Sequence, residues 1–446
     1  MIQAPPRPAN KLGKLPMPGH SPIDLAMTTT SAPATRVPDA QLRSLIQDEL
    51  GYLVSLRHDL HKTPELCFTE HKTSARVQAE LDAINLDYKA GLAETGVVGF
   101  LPSTSGNGNG TAKSIALRAD MDALPITEQT GKPHASQTPG LMHACGHDGH
   151  TTILVGAARV LSKLEHRPKP VTFVFQPAEE GGGGGEKLCD AGVLLGEIGS
   201  DKGGGIGAPV ERIFGLHGWP NLGLGTVASR PGPMLAAVDD FIVTVKGKGG
   251  HAAMPHQCID PIVASAAIVQ ALQTITSRST SPLDSVVCTV GRFEGGTADN
   301  IIPDSVELEG TIRTLTAETR AATERRFKDI VTATARAHGC DADIDWRPGY
   351  PVTHNHDDAT QTFFDVARRA IGDDRVQHMP QPAMGGEDFS YYGLHVPACF
   401  FTLGLTPGHE GFGLAPVPQL HQPTFDFNDD AIALGVELMV RLALEA

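Results

Sequence analysis

The stretch Met142-His143-Ala144-Cys145-Gly146-His147-Asp148-Gly149-His150 packs a thiol, three imidazoles and a carboxylate together with two glycines. Thiolate and imidazole donors at this density suit a divalent ion of the zinc or manganese kind. Cys145 and His147, two residues apart, would face one side of a locally extended segment. The bland alternative is a polar loop around a buried cysteine, which requires no answering residues elsewhere. Answering residues exist. Gln176-Pro177-Ala178-Glu179-Glu180 presents adjacent carboxylates that diverge in extended backbone, so one can bind metal while the other faces water as a general base. His217 in Gly-Leu-His-Gly-Trp-Pro and His421 in Gln-Leu-His-Gln-Pro would each read as structural if taken alone. With Cys145, His147 and Glu180 they complete a donor set large enough for two ions sharing a bridge.

The glycine run Gly181–Gly185 with Lys187 behind it also suggests a phosphate-binding loop. The lysine follows Glu186 and precedes Leu188, where such a loop needs Gly-Lys-Ser/Thr, so no nucleotide is expected.

A chain of 446 residues is long for one core, and two domains are the natural expectation. The net charge of −15 opposes nucleic acid and anionic membrane partners through phosphate repulsion. No apolar run has the length of a membrane span. The 7 cysteines are scattered and odd in number, which fits a reducing, cytoplasmic setting better than a disulfide framework. Residues 1–38 are rich in proline, alanine, serine and threonine without apolar periodicity, and are expected to form a disordered N-terminal extension.

The elements that must position the donors follow from apolar spacing. Helices are expected from Asp39, capped by that residue, over 73–84, and over 153–164 directly after the cysteine–histidine stretch. Strands are expected at 97–101, 115–118, 171–175 and 213–216, the second delivering Asp120 and Asp122, and the last ending at His217. A serine, glycine and asparagine stretch running to Gly110 reads as a hairpin or surface loop. Strand–helix alternation with ligands at strand ends is the pattern of an α/β sheet. From residue 230 the texture changes to strands at 241–245, 286–293 and 305–311 with helices at 259–275 and 317–338, an α+β unit of ordinary domain size. After residue 346 the α/β texture returns, with a strand at 398–403 and a closing helix from Asp429. The expected organisation is a catalytic domain of 39–229 and 347–446, interrupted by an inserted α+β domain of 230–346.

Several motifs in one order now carry a resemblance. They are Ala119-Asp120-Met121-Asp122, the Cys145–Asp148 cluster, Gln176–Glu180 with its glycines, Gly215–His217 and Gly249-Gly250-His251-Ala252-Ala253. Asp299–Pro303, Gly310–Thr314, Gly385-Gly386-Glu387-Asp388-Phe389 and Leu420–Pro423 follow. From Leu42 to the C-terminus the chain resembles the amidohydrolase branch of the co-catalytic metallopeptidases, which includes hippurate hydrolases, N-acyl-amino-acid amidohydrolases and plant auxin-conjugate hydrolases. The resemblance implies a mixed-sheet catalytic domain with an inserted lid through which subunits dimerise. It implies two divalent ions (Mn²⁺, Zn²⁺ or Co²⁺) on Cys145, His147, Glu180, His217 and His421, with Cys145 as the bridge. Glu179 would be the general base and Asp122 the residue that orients the site. His251 would stabilise the oxyanion, reaching the partner subunit's site, or else cap a glycine-rich turn. Asn300 and Arg313 would contact substrate carboxylate or oxyanion, while Glu387 and Asp388 would line the pocket or close a loop. The expected reaction is hydrolysis of an N-acyl amino acid. Rival expectations are a dipeptidase or carboxypeptidase of the same architecture, a metal-binding protein without catalysis, and a hydrolase using Cys145 as nucleophile.

Overall fold

The computed structural model describes residues 37–104 and 112–446. The expected N-terminal extension up to residue 36, and positions 105–111 of the expected loop, lie outside them. The elements in chain order are α1 (Asp39–Lys62), α2 (His71–Ala83), β1 (Asp87–Leu92), β2 (Gly96–Leu101), β3 (Ser114–Asp120), α3 (His147–Ser162), β4 (Val171–Gln176) and α4 (Gly184–Asp190). There follow β5 (Val210–Gly223), β6 (Val227–Ser229), β7 (Gly232–Leu235), β8 (Ala237–Lys246), β9 (Gly250–His251), α5 (Pro261–Thr274), β10 (Val286–Glu294), β11 (Ile301–Ile302) and β12 (Ser305–Thr314). The chain closes with α6 (Ala317–Ala337), β13 (Asp341–Pro348), β14 (Thr353–Asn355), α7 (Asp357–Ile371), β15 (Val376–His378), α8 (Ser390–Gly393), β16 (Ala398–Thr406) and α9 (Ile432–Glu445).

Eight strands form one mixed sheet in the order β1-β2-β4-β3-β5-β16-β6-β15. Its middle, β4-β3-β5-β16, is parallel, and β3, β4 and β16 are buried along their whole length. Strands covered on both faces lose the polar alternation of a half-exposed sheet, which is why they read as continuous apolar runs. The pleat still sorts side chains. Ile115, Leu117, Phe173, Phe175, Phe401 and Leu403 face the core under α1, α3 and α9, whereas Ala116, Val174 and Phe400 face the opposite core with Phe389 and Tyr392. Helix α3 packs between α1 and α9 and is buried almost throughout, so the metal-donor stretch at its start is anchored in the interior.

The second sheet, β10-β12-β8-β13, is antiparallel throughout. Phe241, Val243, Leu308 and Ile312 on one face pack against Ile268 and Leu272 of α5 and Phe327 and Val331 of α6. This is the α+β unit expected from the sequence, with its last strand reaching Pro348.

Three local expectations are corrected. The strand carrying His217 does not end there; it continues to Gly223, because β16 offers a parallel partner as far as Gly223. Asp39 is the first helical residue rather than the cap of α1, and it pairs with Arg441 at 2.9 Å. The closing helix is a 3₁₀ turn at Asp429–Ala431, capped by Asn428, before α9 begins.

Candidate metal centre and active site

Cys145 and His147 do not sit on extended backbone. Gly146 between them has φ 89°, a left-handed conformation open to glycine, and α3 starts immediately after it. That turn brings the thiol and the imidazole inward together. Gly149 lets the first turn of α3 lie on Phe427, whose ring would stand 2.5 Å from any added Cβ.

The donors converge. Ligand atoms of Cys145, His147 and His217 lie within 4.8 Å of one another, as do those of Cys145, Glu180 and His421, so the thiol belongs to both groups. Cys145 Sγ is 3.3 Å from His217 Nε2, and His421 Nε2 is 3.2 Å from Glu180 Oε1. His421 is held in a left-handed conformation (φ 64°) and its N–H donates to the Ala144 carbonyl, tying the C-terminal loop to the cysteine loop. His147 Nδ1 faces Asp122 Oδ1 at 3.2 Å, which fixes the proton there, and the buried Nε2 has no hydrogen-bond partner. A buried imidazole nitrogen without a hydrogen-bond partner beside a thiol, a carboxylate and two more imidazoles fits a divalent ion of borderline softness.

Electrostatics agree with that assignment. Burial, then the Glu180, Glu179 and Asp120 carboxylates, push the Cys145 thiol well above its ordinary value. Without a cation it is a protonated thiol and a poor nucleophile. Burial opposes the charge on His147, but Asp120 and Asp122 outweigh it and raise the ring to about 10.

Glu179 and Glu180 diverge at a turn rather than in extended backbone. Ala178 before them has φ 56°, unfavourable for a residue with a Cβ, and surrounding groups hold it. Glu70 accepts the Ala178 N–H at 2.8 Å, while Asp122 accepts the N–H groups of Glu179 and Glu180 at 3.0 and 2.9 Å. The Tyr350 hydroxyl donates to the Glu179 carbonyl at 2.5 Å and accepts from Gly181 and Gly183 at 2.8 and 3.2 Å. Asp388 accepts the Gly185 N–H at 2.8 Å. Lys187 places its ammonium 3.6 Å from the Phe68 ring centroid. The Glu179 carboxylate has no hydrogen-bond or ion-pair partner among the described residues. Burial first, then Glu387 and Glu180, raises its affinity for a proton well above the usual carboxylate range.

Replacing Tyr350 with phenylalanine is expected to lower kcat by about 10–100-fold with KM and metal content unchanged, since three hydrogen bonds worth roughly 1 kcal/mol each are lost. Steady-state kinetics with metal analysis check this; an unaltered kcat would show that the turn holds without the phenol.

A cavity of about 740 Å³ opens over the centre. Cys145, Glu179, Glu180, His217 and His421 form its floor, Trp219, Leu235, Met384, Phe400 and Leu420 supply apolar wall, and Val238, Val287, Thr311 and Arg313 enter from the second sheet. Glu387 lines the cavity while Asp388 secures the glycine turn, so that pair does both things the sequence left open. Arg313 has no ion-pair partner among the described residues. His251 and Asn300 are not brought to this cavity. They lie together on the exposed β9–β11 ribbon, where the Ala252 N–H donates to the Asn300 carbonyl. Sequence reading missed Tyr350, Glu70 and Arg118; only Tyr350, following an alternating strand, carried any local signal.

The fold and site define a hydrolase built around a divalent-metal centre. The chain belongs to peptidase family M20/M25/M40, whose model matches residues 116–445. It is 41% identical over 401 residues to the Arabidopsis thaliana protein "IAA-amino acid hydrolase ILR1-like 4", covering 89% of this chain and 86% of that one. It is 38% identical over 382 residues to the N-acetyl-L-cysteine deacetylase of Bacillus subtilis, covering 85% and 84%. Among solved structures it resembles the Bacillus subtilis YXEP protein, described as a dinuclear metal binding peptidase of the M20 family, with TM-score 0.73, 32% identity, and coverage of 89% and 98%.

Proposed function

We propose that this protein is a metal-dependent amidohydrolase that cleaves the amide of N-acyl amino acids, releasing a carboxylic acid and a free amino acid. The observation that carries the reading is the unpartnered Glu179 carboxylate beside the donor Glu180 in one cavity: a purely structural metal site has no use for a free base. The relatives named for hydrolysing acylated amino acids support it.

Cys145, His147, Glu180, His217 and His421 would hold two divalent ions, manganese, zinc or cobalt, with Cys145 shared between them. A bound cation supplies Lewis acidity for the amide carbonyl and makes water more acidic. Glu179 takes a proton from the water that adds to the carbonyl carbon and delivers it to the nitrogen as the C–N bond breaks. Asp122 holds His147 and the Glu179–Glu180 backbone in place. The apolar wall built by Trp219, Leu235, Met384 and Phe400 favours an acyl group larger than acetyl, such as the benzoyl of hippurate. Arg313 is the carboxylate contact.

Residues 230–346 act as an inserted lid between the catalytic segments 39–229 and 347–446. Strand β10 is one of the two edges of its sheet, and Leu283, Phe293, Ile262 and Val263 nearby are exposed. A second copy pairing across this edge would cover them and carry His251 and Asn300 toward the partner's cavity. A cytoplasmic setting suits the seven free cysteines, and no helix among the described residues is long and apolar enough to cross a membrane.

Arg313→Ala tests the reading. KM for N-benzoylglycine is expected to rise about 10–100-fold, the worth of a hydrogen bond to a charged group. KM for the corresponding N-benzoylglycinamide, which lacks the carboxylate, should hardly move. An equal rise for both, or turnover of free dipeptides in preference to acyl amino acids, would contradict the assignment.

A further inference from the structure

His150 stands inside the donor cluster, yet both its ring nitrogens are already engaged. Nδ1 lies 2.7 Å from Asp120 Oδ1 and Nε2 lies 2.8 Å from the Gly218 backbone nitrogen. A backbone N–H can only donate, so Nε2 is the acceptor and the ring proton sits on Nδ1, facing the carboxylate. The same residue is held on the other side of its Cα. The Gly218 carbonyl can only accept, so His217 Nδ1, 2.7 Å away, carries the proton of that ring. His217 Nε2 is thereby left as a lone pair, facing Cys145 Sγ at 3.3 Å.

The anchorage continues inward. Asp120 accepts from Arg118 Nη1 at 2.7 Å, and the fully buried guanidinium also donates to Gln176, Glu387 and Asp388 at 2.9–3.0 Å. Phe427 closes the remaining side of Gly218, where an added Cβ would meet its ring at 2.8 Å. Gly218 has little room to shift once His150 holds its N–H.

Asp120, His147 and His150 also bring ligand-capable atoms within 4.8 Å of one another, so a cation could be assigned to that trio instead. The hydrogen bonds argue against it. Ligation through Nε2 would orphan the buried Gly218 N–H, and ligation through Nδ1 would take the histidine donor from Asp120 Oδ1.

We propose that His150 is a positioning residue and not a ligand: acting through the backbone on both sides of Gly218, it holds His217 in the tautomer that presents Nε2 to the metal. This rests on the metal-centre reading above. Removing His150 leaves the Gly218 N–H unpaired, loosens the backbone on either side of the Gly218 Cα, and lets His217 adopt the other tautomer. The loss expected for such an outer partner is about 10–100-fold in metal affinity.

The experiment compares His150→Leu and His150→Gln with the unaltered protein, using Zn²⁺ and Co²⁺ as probes. Bound ions per chain, affinity by competition with a chromophoric chelator, and the Co²⁺ absorption spectrum are measured. His150→Leu is expected to bind the unaltered number of ions, one of them about 10–100-fold more weakly, with a changed cobalt spectrum. His150→Gln keeps an acceptor and a donor on one planar group and is expected to restore most of the affinity and the spectrum. Loss of a full equivalent of metal in both variants would make His150 a ligand and overturn the proposal. So would an affinity and spectrum in His150→Leu that match the unaltered protein. If His150→Leu does not fold, His150→Gln decides: full stoichiometry near the unaltered affinity supports positioning, and a missing equivalent refutes it. An unaltered protein that binds neither ion would overturn the metal centre itself, an outcome distinct from failure at His150 alone.

Discussion

Glu179→Gln is expected to lower kcat by about 10²–10⁴-fold, the usual worth of a general base, while metal content and KM stay close to those of the unaltered protein. The substitution is nearly isosteric, and the carboxylate it removes has no hydrogen-bond or ion-pair partner among the described residues, so little structural penalty is expected. What disappears is the ability to take a proton. Burial and the nearby Glu387 and Glu180 carboxylates raise the proton affinity of Glu179. That makes it a stronger base than a surface glutamate and places its proton transfer closer to neutral pH. Metal analysis beside kinetics separates the alternatives. Loss of an ion would turn Glu179 into a ligand, in line with its nearness to His147 and Glu180. Activity retained above one tenth would remove it as the base.

Cys145→Ala is expected to have the opposite profile, losing metal and activity together. Its thiol is common to the His147–His217 group and the Glu180–His421 group, so its removal weakens both. The fall in metal affinity should exceed the roughly 10–100-fold typical of an outer partner. Equilibrium chelator competition and atomic absorption measure it. A variant that retains both metal and hydrolysis would exclude the bridge, whereas one that keeps its metal but loses hydrolysis would restore the thiol nucleophile. The latter outcome is opposed by the burial that holds Cys145 protonated without a cation.

The donors of this centre were legible because metal binding needs particular atoms, and the residue types announce themselves wherever the chain folds. Cys145, His147, Glu179, Glu180, His217 and His421 meet around one centre although they come from four distant stretches. Their local geometry was less legible. Extended backbone was expected at both Cys145–His147 and Glu179–Glu180, but the structure uses left-handed turns at Gly146 and Ala178. The second is imposed by Glu70, Asp122 and Tyr350 from elsewhere in the chain, and no local propensity encodes such a tertiary constraint. Arg118 and His150 were invisible as supports for the same reason: a single buried polar residue shows its role through partners far away in sequence.

Among the elements, the central strands stood out as apolar runs, whereas β13 and α7 were overlooked despite adequate signals. In β13, Ala342, Ile344 and Trp346 alternate with charged residues, and all pack against the second core. In α7, Asp357 and Asp358 open a helix whose Phe363, Phe364, Ala367 and Ile371 form an apolar stripe, with Arg368 and Arg369 in its last turn. The exposed ribbon bearing His251 and Asn300 shows the limit of a single chain: their proposed work lies in a neighbouring subunit's cavity.

The most direct test of the account is hydrolysis of a panel of N-acyl amino acids by the purified protein, before and after chelation, with Mn²⁺, Zn²⁺ and Co²⁺ restored separately. The account predicts release of free amino acid that disappears with the chelator and returns with at least one of the ions. Turnover that persists after the metal has been removed would contradict it.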